Sequence, residues 1–381
     1  MRIRHVFPFG LLSLIACVQA QEPATITIRK GDTTAVALKS LGGAEGPAAT
    51  KTLQNDLEIS GLFAIVEPGR ASFTITGEAS GGSLKGKVTD GRGASVLEKT
   101  YRGSARRAAH EFADDIVETL TGQPGIASTK IAFVATRSGR KEIYTADYDG
   151  GNIQQLTKEN NISVSPSLSP DGSKLAYTGY SSGYADIYLV DLNSGSRQRI
   201  IKFPGTNSGA SFSPDGGRLA FSASRDGNPE LYVSSANGSG ARRLTRTRGV
   251  ESSPTWGPDG REIIFSSDDR GGPQLFRISS GGGSPSLIST GHSYNTEPSW
   301  SPDGNSLAFN VREGGFQIAI KSLRGGSTRI IASGEDPVWG ANSRHVIYST
   351  GSSLILQDTV NGRKFPIVSG LGKISEPTWS R

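Results

Sequence analysis

Short apolar runs separated by polar, glycine-containing stretches fill the chain from residue 130 onward. Six of these runs carry an aromatic side chain at their fourth position, and they lie at 130–135, 174–179, 218–223, 262–267, 306–311 and 345–350. After each run comes a loop and then a second run, in which apolar and polar residues tend to alternate, as in 142–147 and 274–279. Alternation with a period of two is typical of half-buried β-strands. This part of the chain is therefore predicted to be antiparallel β-structure.

A Pro-Asp-Gly turn precedes four of the six runs and recurs at a constant interval of 44 residues. The turn aspartates are Asp171, Asp215, Asp259 and Asp303. Aspartate at this position commonly accepts hydrogen bonds from nearby backbone N–H groups. A residue that recurs four times at the same turn is explained more economically by the turn than by an active site. We expect a structural role for all four.

The repeat also determines the number of blades. A degenerate fifth copy spans 337–348, and the chain ends in a sixth copy, 376–381, that stops at the turn. All four tryptophans stand at the end of the strand before the turn and are expected in the blade core: Trp256, Trp300, Trp339 and Trp379. Four antiparallel strands in a repeat of about 40–45 residues are the pattern of a β-propeller blade. We predict a mainly β fold, with a six-bladed propeller over 126–381 that is closed by pairing of the C-terminal strand with the first blade.

Residues 21–125 lack the repeat. Strands are predicted at 24–30 and 62–68, and three alternating runs over 71–102 indicate a β-meander. Helices are predicted at 49–60, ended by a glycine, and at 104–120, begun by a serine cap. These elements describe a small α/β domain in front of the propeller.

The first twenty residues have the pattern of a signal peptide. Arg2 and Arg4 precede a largely apolar stretch, and a small residue at position 20 suits cleavage, which predicts export to the periplasm. The single cysteine, Cys17, ends a Leu-Ile-Ala-Cys stretch that resembles a lipoprotein cleavage box, so lipid anchoring at Cys17 is the alternative. In neither case does the rest of the chain contain a disulfide, because it has no other cysteine.

Motifs for catalysis or cofactor binding find little support. Residues 179–183 match the G-x-S-x-G pattern, but they lie between two antiparallel strands rather than in the strand–turn–helix of a hydrolase. The four histidines are isolated in sequence, and no phosphate-binding loop precedes a helix. We therefore expect no enzymatic activity, no metal and no cofactor. The basic residues behind the net charge of +6 are scattered, so no nucleic-acid partner is expected.

The repeat, together with 53–63 and 108–125, resembles the TolB family of the Tol–Pal system. This resemblance implies a monomeric, non-enzymatic periplasmic scaffold that supports outer-membrane integrity and constriction during cell division. It also implies that the propeller binds the peptidoglycan-associated lipoprotein Pal and that the N-terminal segment binds the inner-membrane protein TolA. Other outer-membrane proteins are further candidate partners. The residues of the N-terminal segment expected to contact TolA are Glu22, Thr25, Ile26, Thr27 and Ile28.

The loops that lead from one blade to the next are expected on the face opposite the Pro-Asp-Gly turns. Loops on a rigid scaffold are common recognition sites. The candidate partner contacts there are Asn207, Glu251, His292, Tyr294, Thr296 and Glu297. Tyr294 is the expected main anchor, because aromatic residues are enriched at interface hot spots.

Two other functions remain open. An exported propeller hydrolase or lyase would need clustered carboxylates or histidines on the inner strands, where the repeats place mostly neutral residues. A glycan-binding propeller would need exposed aromatic residues on the loops, and the available ones are Tyr180, Tyr184 and Tyr294.

Overall fold

The structure is a computed structural model that describes residues 33–381. The predicted strand at 24–30 and the signal peptide lie outside the described residues. The fold is mainly β, with a small α/β domain followed by a six-bladed propeller, as predicted.

The N-terminal domain is a five-stranded sheet covered on one face by two helices. In chain order its elements are β1 (Thr34–Leu38), α1 (Gly46–Ser60), β2 (Phe63–Ile65), a 3-10 turn (Pro68–Arg70), β3 (Phe73–Ser80), β4 (Ser83–Asp90), β5 (Ser95–Arg102) and α2 (Ala105–Thr121). The sheet order is β2-β1-β3-β4-β5, with β1 parallel to both of its neighbours and the rest antiparallel. Both predicted helices and the meander are confirmed, although α1 begins three residues earlier than predicted.

Local sequence explains where the helices begin and end. The Ser104 hydroxyl accepts a hydrogen bond from the Arg107 N–H and so caps α2. Gly61 and Gly122 follow the two helices with left-handed φ angles of 65° and 68°, which a glycine adopts without steric cost. Leucine and phenylalanine side chains of the helices pack against the sheet, as Phe112 does where Gly86 of β4 leaves room for its ring.

The propeller contains the remaining strands. They are β6 (Lys130–Ala135), β7 (Glu142–Asp147), β8 (Gln154–Gln155), β9 (Ser163–Leu168), β10 (Lys174–Gly179), β11 (Asp186–Asp191), β12 (Arg197–Ile201), β13 (Asn207–Phe212), β14 (Arg218–Ala223), β15 (Glu230–Ser235), β16 (Arg242–Arg243), β17 (Glu251–Trp256), β18 (Glu262–Ser267), β19 (Gln274–Ser279), β20 (Ser286–Leu287), β21 (Asn295–Trp300), β22 (Ser306–Arg312), β23 (Phe316–Ser322), β24 (Thr328–Ser333), β25 (Glu335–Trp339), β26 (His345–Ser349), β27 (Gly351–Asp358) and β28 (Lys364–Trp379).

These strands form six antiparallel blades around a central channel. Blades 2 to 5 are the four-stranded sheets β9–β12, β13–β16, β17–β20 and β21–β24. Blade 6 consists of β25–β27 and the first part of β28. The last part of β28 continues into blade 1, where Trp379 lies opposite Ile131 and Thr378 opposite Ala132 of β6. Blade 1 is therefore the end of β28 followed by β6, β7 and β8.

The turn aspartates hold their turns through local hydrogen bonds. Asp171 accepts from the hydroxyl of Ser169 at 2.6 Å and from the N–H of Ser173 at 3.1 Å. Asp215 and Asp303 make the same two contacts within their turns, and Asp259 accepts from a backbone N–H at 3.0 Å. The hydrogen bonds of Asp171 lower the pKa of its carboxyl to about 2, so it stays charged at neutral pH.

The four tryptophans are buried where adjacent blades meet. Trp256 donates from its indole N–H to the Ser211 carbonyl of the preceding blade at 3.0 Å, and Trp379 donates to the Thr129 hydroxyl at 2.7 Å. Trp256 therefore joins blade 4 to blade 3, and Trp379 holds the end of β28 to the segment that precedes β6.

The N-terminal domain packs against blades 6 and 1 on the side of the Pro-Asp-Gly turns, which we call the lower face. The C-terminal end of α1 contacts the degenerate turn of blade 6, because Arg344 donates to the Gly61 carbonyl at 2.8 Å and His345 bonds the Ile59 carbonyl at 2.9 Å. Both partners are carbonyls at the negative end of a helix, which favours a cation such as Arg344. Neither helix within residues 33–381 is long and apolar enough to span a membrane.

Candidate functional site

The loops between blades form the face of the propeller opposite the N-terminal domain, which we call the upper face. Each inner strand runs from this face down to its turn, so the first residue of the strand lies at the upper end of the channel. The part of the chain that the structure describes leaves this face uncovered. It is thus a large surface that a partner can reach.

Each inner strand is bulged near the upper face. One residue of each inner strand, three positions before the residue that the tryptophan motif places at the strand end, has a positive φ, with values from 49° to 63°: Ser165, Gly209, Ser253, Glu297, Asp336 and Glu376. The register shift that accompanies each bulge occurs at this point. Five of the six residues are not glycine, and such residues cost about 1 kcal/mol or more in this conformation. Backbone strain that recurs around one opening makes this opening a candidate functional site. We call these six residues the bulge ring.

One half of the bulge ring is acidic. Glu297, Asp336 and Glu376 lie on blades 5, 6 and 1, which are consecutive around the channel, whereas the opposite half carries serine and glycine. Together they line a cavity of about 760 Å³ at the upper end of the channel. The cavity is therefore asymmetric, with three carboxyl groups along one wall.

Two of the three carboxyl groups also tie neighbouring blades together. Glu376 accepts from the N–H of Ser165 at 2.5 Å, and Asp336 accepts from the N–H of Glu376 at 2.7 Å. Glu297 accepts from the side-chain amide of Asn310 in its own blade. Each bond holds a carboxyl group at the rim of the cavity.

Burial dominates the titration of these groups. It raises the pKa of Glu297 to about 9, and the charge of the nearby Asp336 adds to the effect. Burial also raises the pKa of Glu376, although the ammonium of Lys141, 3.8 Å away, partly opposes it. At neutral pH the ring therefore holds at least one proton. Its oxygen atoms are the kind of donor that hard divalent cations prefer, so these residues could also hold such a cation.

Two of the predicted contact residues are buried. Asn207 donates to the Phe203 carbonyl at 2.8 Å, and Glu251 accepts from the hydroxyls of Thr247 and Ser267 at 2.7 Å. Both side chains are fully inaccessible to solvent. They shape the loops from inside, which corrects the expectation that they contact a partner directly.

The other four predicted residues lie together on blade 5 and are partly exposed. Tyr294 packs against Phe316 with ring centroids 6.1 Å apart, and the guanidinium of Arg312 lies 5.9 Å from the Tyr294 ring. His292 bonds the exposed carboxylate of Glu313 at 2.7 Å. Thr296 leads into the bulge ring at Glu297. These residues form a continuous strip from the rim of the upper face to the channel.

The structure adds residues to the upper face that the sequence reasoning missed. Ile162 and Val250 are apolar side chains with 41% and 44% exposure, whereas Tyr184, which the sequence had already indicated as a loop aromatic, is 71% exposed. Exposed arginines stand between the second and third strands of four blades, in the loop or, for the last of them, at the end of the second strand: Arg137, Arg225, Arg270 and Arg312. The upper face thus has a basic rim, scattered apolar side chains and an acidic centre.

The motif that resembles a hydrolase nucleophile lies on the upper loop of blade 2, where its Tyr180 lines the edge of the cavity. Ser181 lies in the loop between β10 and β11 and bonds the carboxylate of Glu159. The neighbouring strands are antiparallel, whereas a hydrolase nucleophile needs a strand–turn–helix setting. The predicted TolA contacts Glu22 to Ile28 lie outside the described residues.

Comparisons with known proteins agree with this architecture. The family model described as the TolB beta propeller domain matches residues 117–381. Among curated proteins, the Tol-Pal system protein TolB of Geobacter metallireducens is 35% identical over 169 residues, which cover 35% of this chain and 39% of that protein. A TolB homolog of Chlorobium chlorochromatii is 32% identical over 201 residues, covering 43% and 46%. The match therefore spans less than half the length of either relative.

Similarity to a solved structure extends further along the chain. The crystal structure of TolB from Acinetobacter baumannii matches with a TM-score of 0.81 and 27% identity, covering 92% of this chain and 97% of that one. The match therefore includes the N-terminal domain as well as the propeller. Because the family model matches more than half of the residues of this chain, the chain belongs to the TolB family.

Proposed function

We propose that this protein is a component of the Tol–Pal system and acts as a non-catalytic scaffold. Its upper face would bind the peptidoglycan-associated lipoprotein Pal, and its N-terminal segment would bind TolA, so that the envelope layers are joined during constriction at division. The observation that carries this proposal is the uncovered upper face with its strained bulge ring, whereas the N-terminal domain covers the lower face at blades 6 and 1.

The chemistry of the upper face suits a protein partner. Exposed apolar side chains such as Tyr184 and Val250 offer area to bury, and the rim arginines offer charge-assisted hydrogen bonds. The upper face has a basic rim and an acidic centre. It therefore favours a partner whose charges are complementary, with acidic residues that meet the rim and basic residues that enter the centre. Tyr294 on blade 5 remains the residue that we expect to be the main anchor for the partner.

The sequence of the N-terminal segment supports the proposed binding to TolA. Apolar and polar residues alternate from Thr25 to Ile28, as in a strand that adds to the edge of a partner's sheet. The signal-peptide pattern of residues 1–20 supports a periplasmic location, and these residues would be removed on export. The mass of the mature protein decides whether Cys17 is discarded or retained with a lipid.

A second candidate function deserves a test, because the structure does bring carboxyl groups together on the inner strands. Glu297, with its raised pKa, could act as a general acid beside Asp336 or Glu376 in a hydrolase or lyase. Release of sugars or peptides from envelope polymers by the wild type, lost in Glu297→Gln, would support an enzyme. Binding of glycan without turnover would favour the glycan-binding alternative.

A matched pair of arginine variants on blade 4 tests the scaffold proposal. Arg270 lies on the upper face and Arg261 on the lower face, where its side chain is 86% exposed. Binding of the organism's own Pal would be measured by calorimetry for Arg270→Ala, Arg261→Ala, Val250→Asp and Tyr294→Ala.

We expect Arg261→Ala to bind as the wild type does. Tyr294→Ala and Val250→Asp should each weaken binding by about tenfold or more, equivalent to about 1.4 kcal/mol. Unchanged affinity in all three upper-face variants, or loss confined to the lower-face variant, would overturn the assignment of this face.

A further inference from the structure

A buried polar cluster joins the N-terminal domain to blade 1. His110 of α2 and Asp56 of α1 are 4% and 3% exposed, and the His110 Nδ1 lies 2.7 Å from Asp56 Oδ2. The Tyr148 hydroxyl, which follows β7 in blade 1, donates to the other oxygen of Asp56 at 2.8 Å. Burial raises the pKa of Tyr148 well above its usual value, so this hydroxyl remains a donor.

The second nitrogen of His110 has no hydrogen-bond partner among the described residues, although it is buried. It faces Asp147, whose Oδ2 lies 3.9 Å away. Since Nδ1 donates to Asp56, a neutral ring would present a bare lone pair at Nε2 to this carboxylate. A proton on Nε2 turns that repulsion into attraction and supplies a donor where one is missing.

Other charged groups around His110 come from both domains. Arg106 of α2 bonds Asp147 at 2.8 Å and also bonds Asp149, while Asp114 faces the ring from the next turn of α2. With Asp56, these carboxylates outnumber the single arginine. Burial opposes charging of His110, but the hydrogen bond to Asp56 and its charge outweigh burial and raise the histidine pKa.

The cluster is suited to a proton rather than to a metal ion. Potential ligand atoms of Asp56, His110 and Asp149 lie within 4.8 Å of one another. However, both oxygens of Asp56 and of Asp149 already accept hydrogen bonds, and the Arg106 guanidinium stands at Asp149. The nitrogen of His110 is the one unused group of the three.

We propose that His110 is a proton-operated latch between the two domains. As an imidazolium it bridges Asp56 of the N-terminal domain and Asp147 of blade 1, and as a neutral ring it leaves Asp147 held to the N-terminal domain by Arg106 alone. The latch is a property of the domain junction, so it goes beyond the proposed function and does not depend on any partner.

The direction of the pH effect follows from linkage. A histidine whose pKa is higher in the docked than in the open arrangement stabilises docking fully below the open-state pKa. This contribution is lost as the pH rises through the docked-state pKa, with the docking equilibrium changing by at most about tenfold per pH unit. Mild acid therefore tightens the junction, and alkaline pH loosens it.

The other buried histidine at the junction does not share this role. His345 bonds the Ile59 carbonyl through Nε2 and the Asn342 amide through Nδ1, so the neutral ring is fully used. Burial lowers its pKa to about 4. It stays neutral over the range in which His110 changes charge.

Histidine NMR on the full chain tests the titration itself. Residues 33–381 contain three imidazoles, and His110→Gln and His292→Gln assign them. We expect His110 to titrate above the ordinary value of about 6.5, and Asp147→Asn to lower its midpoint. A midpoint at or below the ordinary value, or one that Asp147→Asn leaves unchanged, would overturn the proposal.

Hydrogen exchange tests whether the proton acts on the junction. After correction for intrinsic rates, protection of α1 and of the 147–151 turn should fall as the pH rises in the wild type and in His292→Gln. It should be independent of pH in His110→Gln. A histidine that only fills space would change protection equally at every pH. If His110→Gln does not fold, Asp147→Asn, which keeps the His110–Asp56 pair, replaces it, and its protection should depend on pH less than that of the wild type. An equal dependence on pH would overturn the proposal.

Discussion

The glutamate of the bulge ring on blade 5 should make the propeller less stable as the pH rises. Burial raises the pKa of Glu297 to about 9, whereas an unfolded chain ionises its glutamates near pH 4.3 or so. Between these two values the folded protein holds a proton that the unfolded chain has released. Folding stability is therefore present in full at acidic pH and is lost progressively up to about pH 9.

The magnitude follows from the size of the shift. Each pH unit within this window changes the free energy of unfolding by up to about 1.4 kcal/mol. From about pH 5 to about pH 8 the wild type should lose up to about 4 kcal/mol relative to a variant without the titrating group. This is an upper limit, because Asp336 and Glu376 interact with the same proton.

Glu297→Gln is that variant, since the amide keeps the shape and can still accept from Asn310. All four tryptophans lie in the propeller, so denaturant unfolding followed by tryptophan fluorescence reports on this domain alone. We expect Glu297→Gln to be more stable than the wild type, with a difference that grows with pH. The control is Glu262→Gln, which removes an exposed carboxylate of blade 4. Parallel pH profiles for wild type and Glu297→Gln would refute the reasoning.

Three further substitutions test the packing described above. Arg344→Met leaves the buried Asp358 carboxylate without its partner and should cost about 3–5 kcal/mol of stability, measured by fluorescence unfolding; a double variant with Asp358→Asn should cost less than the sum. Gly86→Ala places a Cβ 2.7 Å from the Phe112 ring and should cost about 1–3 kcal/mol, followed by circular dichroism at 222 nm because both helices belong to the N-terminal domain. Asp303→Ala should cost about 1 kcal/mol in propeller unfolding without changing Pal affinity, since its bonds lie within a lower-face turn.

The sequence predicted the strands of the propeller well because each blade repeats the same physical pattern. The second strands were placed within a residue of their observed ends, as for β14 and β22. The bulge ring could not be predicted in the same way. The left-handed conformation of Glu297 and Asp336 depends on how inner strands converge around a channel, which local propensity does not encode. The available signal was a proline after the bulge residue in five of the six inner strands, the exception being Gly209, which precedes Ala210.

The direction in which loop side chains point was the other property that the sequence did not predict. Asn207 and Glu251 were chosen because they stand in polar loops, yet each is the first residue of an inner strand and points into the blade. Asn295 occupies the same position in blade 5 and is also fully buried. The degenerate fifth motif has a physical reason as well: its turn carries Asn342 and Arg344, which serve the contact with α1.

The long strand β28 has a consequence for how the protein is made. Its sixteen residues form the outer strand of blade 6 and then the inner strand of blade 1. While the chain is still being synthesised, β6 has no neighbour on its inner side, and blade 1 presents an open sheet edge. The ring becomes complete when the segment ending at Trp379 emerges and finds a partner from the start of the propeller, a contact of very large sequence separation that favours slow folding. Chains that stop short of this segment are therefore expected to be the aggregation-prone and protease-sensitive ones, however well their middle blades are formed.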